Sequence, residues 1–191
     1  MDNAVAGSGK PLALRLRDVA RGFTLIELMV TIAILVVLIT VAAPSMREFL
    51  LNSRRAALSN DLLFSLQLAR SEAIKLGHKV AVCASSTGSG CSTVASDWSK
   101  GWIVELRRST PSGEVKQMLY KGRIPAAGQT VQTSRAEVVF RPFSTALEGS
   151  LGATFTVCDL RGGSHARAVV VSASGRSRVA EPNETTLSCT T

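Results

Sequence analysis

Residues 22–44 read GFTLIELMVTIAILVVLITVAAP, and this stretch decides the fold of the 191-residue chain. From Phe23 to Ala43 the residues are predominantly apolar, and the run ends at Pro44. At about 1.5 Å per residue, a helix over these positions is long enough to cross the hydrocarbon core of a bilayer. The sequence therefore predicts a single transmembrane helix over residues 23–43.

Residues 1–22 form a separate segment that is small, polar and basic. A segment without an apolar core of its own is typical of a leader that is removed by processing. Basic residues precede the apolar run and no small-x-small cleavage signal follows it, which argues against an ordinary secretory signal peptide. We expect the amino end to stay in the cytoplasm and the remainder to face the periplasm.

Glu27 is the one carboxylate within the predicted membrane helix. An ionised carboxylate in a bilayer costs several kcal/mol unless it finds a partner. Cleavage before Phe23 would create a positive amino group, and that group on a neighbouring subunit would lie at nearly the same depth. The alternative is a carboxylate that is merely solvated among the lipid headgroups, and the position in the sequence leaves both open.

Residues 44–77 are predicted to continue the helix as an amphipathic segment. Apolar side chains recur there every three or four residues, at Leu58, Leu62, Leu66, Ala69, Ala73 and Leu76. This period puts them on one helical face, and Gly77 is suited to end the helix. Pro44 is expected to kink the helix where it leaves the membrane, because proline removes a backbone hydrogen bond.

Residues 78–191 are predicted to form a β-rich globular domain. Short β-like runs lie at 79–85, 102–107, 115–121, 136–141, 153–158 and 167–173, separated by glycine, proline and serine. A long helix followed by antiparallel strands indicates an α+β fold in which the helix packs on the sheets. The length of the chain favours one globular unit rather than two.

The four cysteines all follow the membrane segment, and none forms a CxxC pair. An even number of cysteines beyond a membrane segment is typical of disulfides in an oxidising compartment, and three pairings are conceivable. We favour Cys83 with Cys91, because the seven residues between them are turn-like, which leaves Cys158 for Cys189. Free thiols are the alternative, and the spacing disfavours a zinc site.

The sequence contains little that indicates an enzyme. His78 and His165 have no evident nucleophile or metal-ligand partner near them in the sequence. There is no phosphate-binding GxxxxGK[ST] loop and no paired-histidine motif. We therefore expect neither catalysis nor a cofactor.

The charge is positive, at +8 for the whole chain and +6 once the leader is removed. A basic protein favours polyanions such as nucleic acid or anionic lipid. Near the carboxyl end the arginines outnumber the acidic residues, with Arg161, Arg167, Arg176 and Arg178. If residues 176–179 are extended, Arg176 and Arg178 project to the same side about 7 Å apart, a spacing close to two phosphate steps of a DNA strand.

The segment from Gly22 to Glu27, with the apolar run and Pro44 after it, resembles the class III signal of type IV pilins and type II secretion pseudopilins. The resemblance implies cleavage after Gly22 by a prepilin peptidase and N-methylation of Phe23. It also implies that Glu27 pairs with the amino terminus of an adjoining pilin during assembly. The expected location is the inner membrane, with a single pass, and then the pilus on the cell surface.

The globular part resembles the GspH/FimT minor pilin family. The likeness rests on the Cys83 to Cys91 loop, Asp97-Trp98, residues 101–104, residues 155–158 and Gly175-Arg176-Ser177-Arg178. The last of these matches the GRxR motif that the FimT branch uses to bind DNA in natural transformation. Binding would be independent of sequence, because the basic stretch has no recognition helix and no aromatic residue for base stacking.

Two alternatives share the same anchor. In one, the protein is a minor pilin that only primes or caps filament assembly. In the other, it is a pseudopilin of a type II secretion system, and the arginines near the carboxyl end merely keep the surface soluble.

Overall fold

A computed structural model describes residues 22–143, 147–180 and 189 of the chain. The chain divides into two compact units, Met1–Pro44 and Ser45–Thr191. The α-helix α1 runs from Leu25 to Leu76 and contains Pro44, so it contributes to both units. The two units are described in turn.

The first unit contains the apolar start of α1. Thr24 lies just before the helix, and its Oγ1 accepts a hydrogen bond from the backbone N–H of Glu27 at 3.2 Å. The helix is long and apolar enough to cross a membrane, and none of its most apolar window is buried within the chain. A helix that is apolar all round requires cover from lipid or from other subunits.

In the second unit, the rest of α1 packs against the globular core through the stripe predicted from the sequence. Leu58, Leu62, Leu66, Ala69 and Ala73 are all fully buried. Leu76 continues the same spacing but is 38% exposed, because it is the last residue of the helix. The following Gly77 has a φ of +67°, the left-handed conformation that commonly ends a helix.

Within the described residues, eight strands form two antiparallel four-stranded sheets. The strands are β1 (Lys79–Ala84), β2 (Trp102–Thr110), β3 (Gly113–Lys121), β4 (Thr130–Gln132), β5 (Glu137–Phe140), β6 (Ala153–Cys158), β7 (Arg167–Val171) and β8 (Ser177–Ala180). The first sheet has the order β3-β2-β1-β5, and the second has the order β4-β6-β7-β8. The α+β fold with antiparallel sheets is therefore confirmed.

The six runs predicted from the sequence correspond to β1, β2, β3, β5, β6 and β7, with small differences at their ends. The sequence did not indicate β4, which has only three residues and pairs with β6 at Thr130 to Cys158. A strand of that length is too short to display an alternating pattern. Three 3-10 segments within the described residues, Ala95–Lys100, Glu148–Ser150 and Gly163–His165, were not anticipated either.

Large aromatic side chains hold the core together. Trp98 packs edge-on against Phe155, with ring centroids 4.7 Å apart. Trp102 on β2 donates its indole N–H to Ser65 Oγ on α1 at 2.8 Å, so helix and sheet share a buried hydrogen bond. The hydrogen bond to Ser65 holds the part of α1 after Pro44 on the first sheet.

The structure contains the two disulfides that the sequence favoured, Cys83–Cys91 and Cys158–Cys189. Cys158 is the last residue of β6. The second disulfide therefore closes a loop that includes β7, β8 and all four arginines singled out from the sequence.

Candidate assembly segment and nucleic-acid interface

The amino-terminal segment presents its signal residues at the start of α1. The Phe23 side chain is 80% exposed, and Glu27 is exposed in the first turn of the helix. Thr24 and Glu27 have the spacing of a capping box, in which a threonine before the helix is followed three residues later by a glutamate. This local role of Glu27 was not predicted from the sequence, although the Thr-x-x-Glu spacing is the signal of a capping box.

The helix dipole also favours the Glu27 carboxylate at the start of α1. A carboxylate in the first turn of a helix is stabilised by the partial positive charge of the free N–H groups. Glu27 therefore lies where a negative charge is most favourable on an isolated helix, before any partner is considered.

Arg161 occupies the turn that follows β6, and its guanidinium is held by two carboxylates. Its Nη2 lies 2.6 Å from Asp159 Oδ2, and its Nη1 lies 2.5 Å from Glu48 Oε2 on α1. Only 12% of the Arg161 side chain is exposed, and Asp159 is more deeply buried at 2%. Arg161 thus ties the turn after β6 to the helix.

The protonation of this pair follows from its geometry. Burial raises the pKa of Asp159, but the hydrogen bonds and the charge of Arg161 outweigh burial and hold that pKa below its ordinary value. The hydrogen bond to Asp159 in turn raises the pKa of Arg161. Both groups stay charged, and the Arg161 guanidinium is engaged inside the protein rather than offered to a ligand.

Arg167 and Arg178 lie on the second sheet. Arg167 is the first residue of β7, opposite Val157, and is half-buried. Arg178 is on β8, opposite Val170, and is exposed. Since β8 is the outermost strand, no described strand pairs with its far side.

Arg176 lies in the tight turn between β7 and β8, not in the strand. The backbone N–H of Ser172 donates to the Arg176 carbonyl at 2.9 Å, and that of Gly175 donates to the Ser172 carbonyl at 2.8 Å. Gly175 has a φ of +72°, which a residue with a side chain adopts only with strain. The turn is therefore well defined, and the Arg176 side chain leaves it exposed to solvent.

The turn borders a groove of about 340 Å³ against α1. One wall consists of Gln67, Arg70, Ser71 and Ile74, and the other of Gly175, Arg176 and Ser177. The helical residues follow the i, i+3, i+4, i+7 spacing of one face of α1. The sequence alone does not associate Arg70 with the other arginines, because only the tertiary fold brings the helix beside this turn.

Metal ligation has no evident place here. Within residues 22–143, 147–180 and 189, no group of three or more His, Cys, Asp and Glu residues is arranged to hold a metal ion.

Two family models match the sequence. Residues 58–175 match the model described as "Type II transport protein GspH", and residues 17–43 match the "Prokaryotic N-terminal methylation motif". The first match ends one residue before Arg176 and therefore does not bear on Arg176 or Arg178. No curated protein sequence matches the chain significantly.

Two crystal structures of the type IV minor pilin FimU from Pseudomonas aeruginosa share the fold. One, in space group P21, has a TM-score of 0.53 at 22% identity and covers 71% of this chain and 94% of FimU. The other, in space group P65, has a TM-score of 0.51 at 20% identity and covers 67% and 94%. At these identities the likeness establishes the architecture.

Proposed function

Because this chain belongs to the Type II transport protein GspH family, we propose that it is a minor type IV pilin that binds DNA through its β7–β8 turn. At the level of the family, it is a minor pilin or pseudopilin, a structural subunit rather than an enzyme. The methylation motif implies processing by a prepilin peptidase and assembly with other pilins.

The proposed maturation uses the residues around the start of α1. Prepilin peptidase cleaves between Gly22 and Phe23, and Phe23 is methylated on its new amino group. Glu27 then pairs with the amino terminus of a neighbouring subunit in the inner membrane. The exposed first turn supports this role, since it leaves the carboxylate accessible to another chain.

The observation that carries DNA binding is the position of Arg176 on a defined turn beside an outer strand. Its guanidinium forms no ion pair or hydrogen bond with any residue that the structure describes. Arg178 follows on β8 and is also exposed. A planar guanidinium can donate two hydrogen bonds to phosphate oxygens, so these arginines suit the DNA backbone.

The proposed binding is independent of base sequence. Residues 159–180 contain no Phe, Tyr or Trp on which a base could stack. The segment consists of strands, turns and the three-residue 3-10 segment Gly163–His165, and contains no α-helix that could enter the major groove. The contacts would therefore be with phosphates. We propose that this binding serves natural transformation, the uptake of DNA through a pilus.

A second candidate is a subunit that primes or caps a filament without binding DNA, in a type IV pilus or a type II secretion system. Two observations favour it. The matched family is described as a type II transport protein, and the match stops at residue 175. On this candidate, Arg176 and Arg178 would be solvated surface charges.

DNA titrations separate the two candidates. The full chain in detergent micelles is titrated with a labelled duplex at low and high salt, as wild type and as the Arg176→Ala, Arg178→Ala double variant. Each phosphate contact contributes about 0.9 to the slope of log affinity against log salt. The double variant should bind more weakly, and its slope should be lower by up to about 1.8.

The matched control is the Arg54→Ala, Arg108→Ala double variant. Both residues are exposed, and the change removes the same number of charges from other surfaces. The control should retain the wild-type slope. An equal loss of DNA affinity in the two double variants would show that the affinity depends only on net charge, and would favour the second candidate.

A further inference from the structure

The groove between α1 and the β7–β8 turn contains two arginines, one on each wall. Arg70 comes from the helix, and Arg176 comes from the turn. They are 106 positions apart in the sequence, and the fold alone associates them. The β7–β8 turn is also held from its other side, since the Leu147 N–H donates to the Ala173 carbonyl at 2.9 Å.

Within the part of the chain that the structure describes, the two positive charges have no negative neighbour in this groove. None of the seven described residues that line it is acidic. Among residues 22–143, 147–180 and 189, neither the Arg70 nor the Arg176 guanidinium has a recorded ion pair or hydrogen bond. The helical carboxylate nearest in sequence, Glu72, is 3.5 Å from Lys75 and pairs with it. Two like charges that share a groove repel each other, and a bound anion would remove that repulsion.

The remaining polar groups of the groove can also donate hydrogen bonds. Gln67 contributes a side-chain amide, and Ser177 contributes a hydroxyl. The Ser71 hydroxyl already donates to the Leu68 carbonyl at 2.9 Å, which leaves its oxygen as an acceptor only. Arg70, Arg176, Gln67 and Ser177 together offer the donors that the oxygens of a phosphate accept.

Both walls are held in place before any ligand binds. Ala69 and Ala73, which flank Arg70 on α1, are fully buried against the core. The opposite wall is the turn closed by the hydrogen bonds of Ser172 with Gly175 and Arg176. A site whose walls are already ordered loses little conformational entropy on binding.

We propose that this groove binds a phosphate group of the DNA backbone, with Arg70 and Arg176 on either side of it. The proposal rests on the proposed function and extends it, because it adds a helical residue to the DNA contact. It makes α1 part of the interface as well as the anchor and the spine of the domain.

The test compares Arg70→Ala with Arg54→Ala, which removes the same charge from an exposed position on the same helix. The full chain in detergent micelles is titrated with a labelled duplex at several salt concentrations. Arg70→Ala should weaken binding about tenfold and lower the salt slope by about 0.9, whereas Arg54→Ala should change neither. Arg70→Lys should restore the slope, because a lysine keeps the charge.

A double-mutant cycle tests whether the two arginines share one phosphate. If they do, the loss in the Arg70→Ala, Arg176→Ala double variant should differ from the product of the two single losses. If Arg176→Ala weakens DNA binding and Arg70→Ala does not, the phosphate site in the groove is overturned, whereas the proposed function still stands. A wild-type chain that binds no DNA would overturn both.

Discussion

The two turns at the ends of β7 carry the same type of residue and differ in what that residue contacts. Arg161, in the turn after β6, is enclosed by Asp159 and Glu48. Arg176, in the turn before β8, is exposed and has no recorded side-chain partner among the described residues. The difference indicates that one arginine stabilises the fold and the other is available to a ligand.

The neighbouring carboxylates decide between these roles, not the arginine itself. Asp159 is two residues from Arg161 and is buried, so it needs a cation. The turn around Arg176 consists of Ser172, Ala173, Ser174 and Gly175, none of which is charged. A local excess of arginine in a sequence therefore does not identify which arginines bind an anion.

The largest expected effect comes from opening the loop that contains both turns. Replacing Cys158 and Cys189 by serine removes the disulfide that closes this loop over a sequence separation of 31 residues. The free energy of unfolding should fall by about 3 kcal/mol, because the unfolded chain regains conformational freedom. Denaturant unfolding of the full chain in detergent measures this fall in the free energy of unfolding. A change well under 1 kcal/mol would show that the disulfide does not constrain this region.

A smaller loss of stability is expected from Arg161→Ala. The change leaves the buried Asp159 carboxylate without its cation, and we expect a cost of about 2 kcal/mol, since Arg161 is partly open to water beside Glu48. Denaturant unfolding at neutral pH provides the measurement. Wild-type stability in this variant would contradict a structural role for Arg161.

The same pair predicts a dependence on pH. The pKa of Asp159 is lower in the folded protein than its ordinary value of about 3.9, so the pair contributes fully above that value. Its contribution is lost as the pH falls through the folded pKa. The difference in unfolding free energy between wild type and Arg161→Ala should therefore shrink below about pH 4. A difference that stays constant down to pH 2 would exclude Asp159 as the titrating partner.

The smallest expected effect on stability is that of Arg176→Ala. The side chain is exposed and forms no ion pair or hydrogen bond within the described residues, so the free energy of unfolding should change by less than about 0.5 kcal/mol. The backbone hydrogen bonds of the turn remain, because they do not involve the side chain. A loss as large as that of Arg161→Ala would remove the distinction between the two turns.

The sequence was sufficient for the elements with a long, regular pattern. The apolar run after Phe23 predicted the apolar first part of α1, and the stripe from Leu58 to Ala73 predicted the buried face of its later part. The three-residue β4 and the groove beside Arg70 were missed. Short strands carry too few residues to show a period, and a groove between distant segments depends on tertiary packing.

The candidate site divides in the same way. The GRxR stretch indicated Arg176 and Arg178, and the structure leaves both exposed. The sequence grouped Arg161 with them although Asp159 lies two residues away, because nothing local shows that Asp159 is buried. The second carboxylate, Glu48, lies 113 residues away. The burial of Asp159 and the approach of Glu48 both depend on the fold.

The most direct test of the account compares the DNA affinity of Arg176→Ala with that of Arg161→Ala. The two variants have the same net charge and differ only in which turn loses its arginine. Fluorescence anisotropy with a labelled duplex measures both as full chains in detergent, at a temperature where both are folded. We predict affinity about tenfold weaker for Arg176→Ala and close to wild type for Arg161→Ala. Equal weakening in the two variants, or greater weakening in Arg161→Ala, would contradict the account.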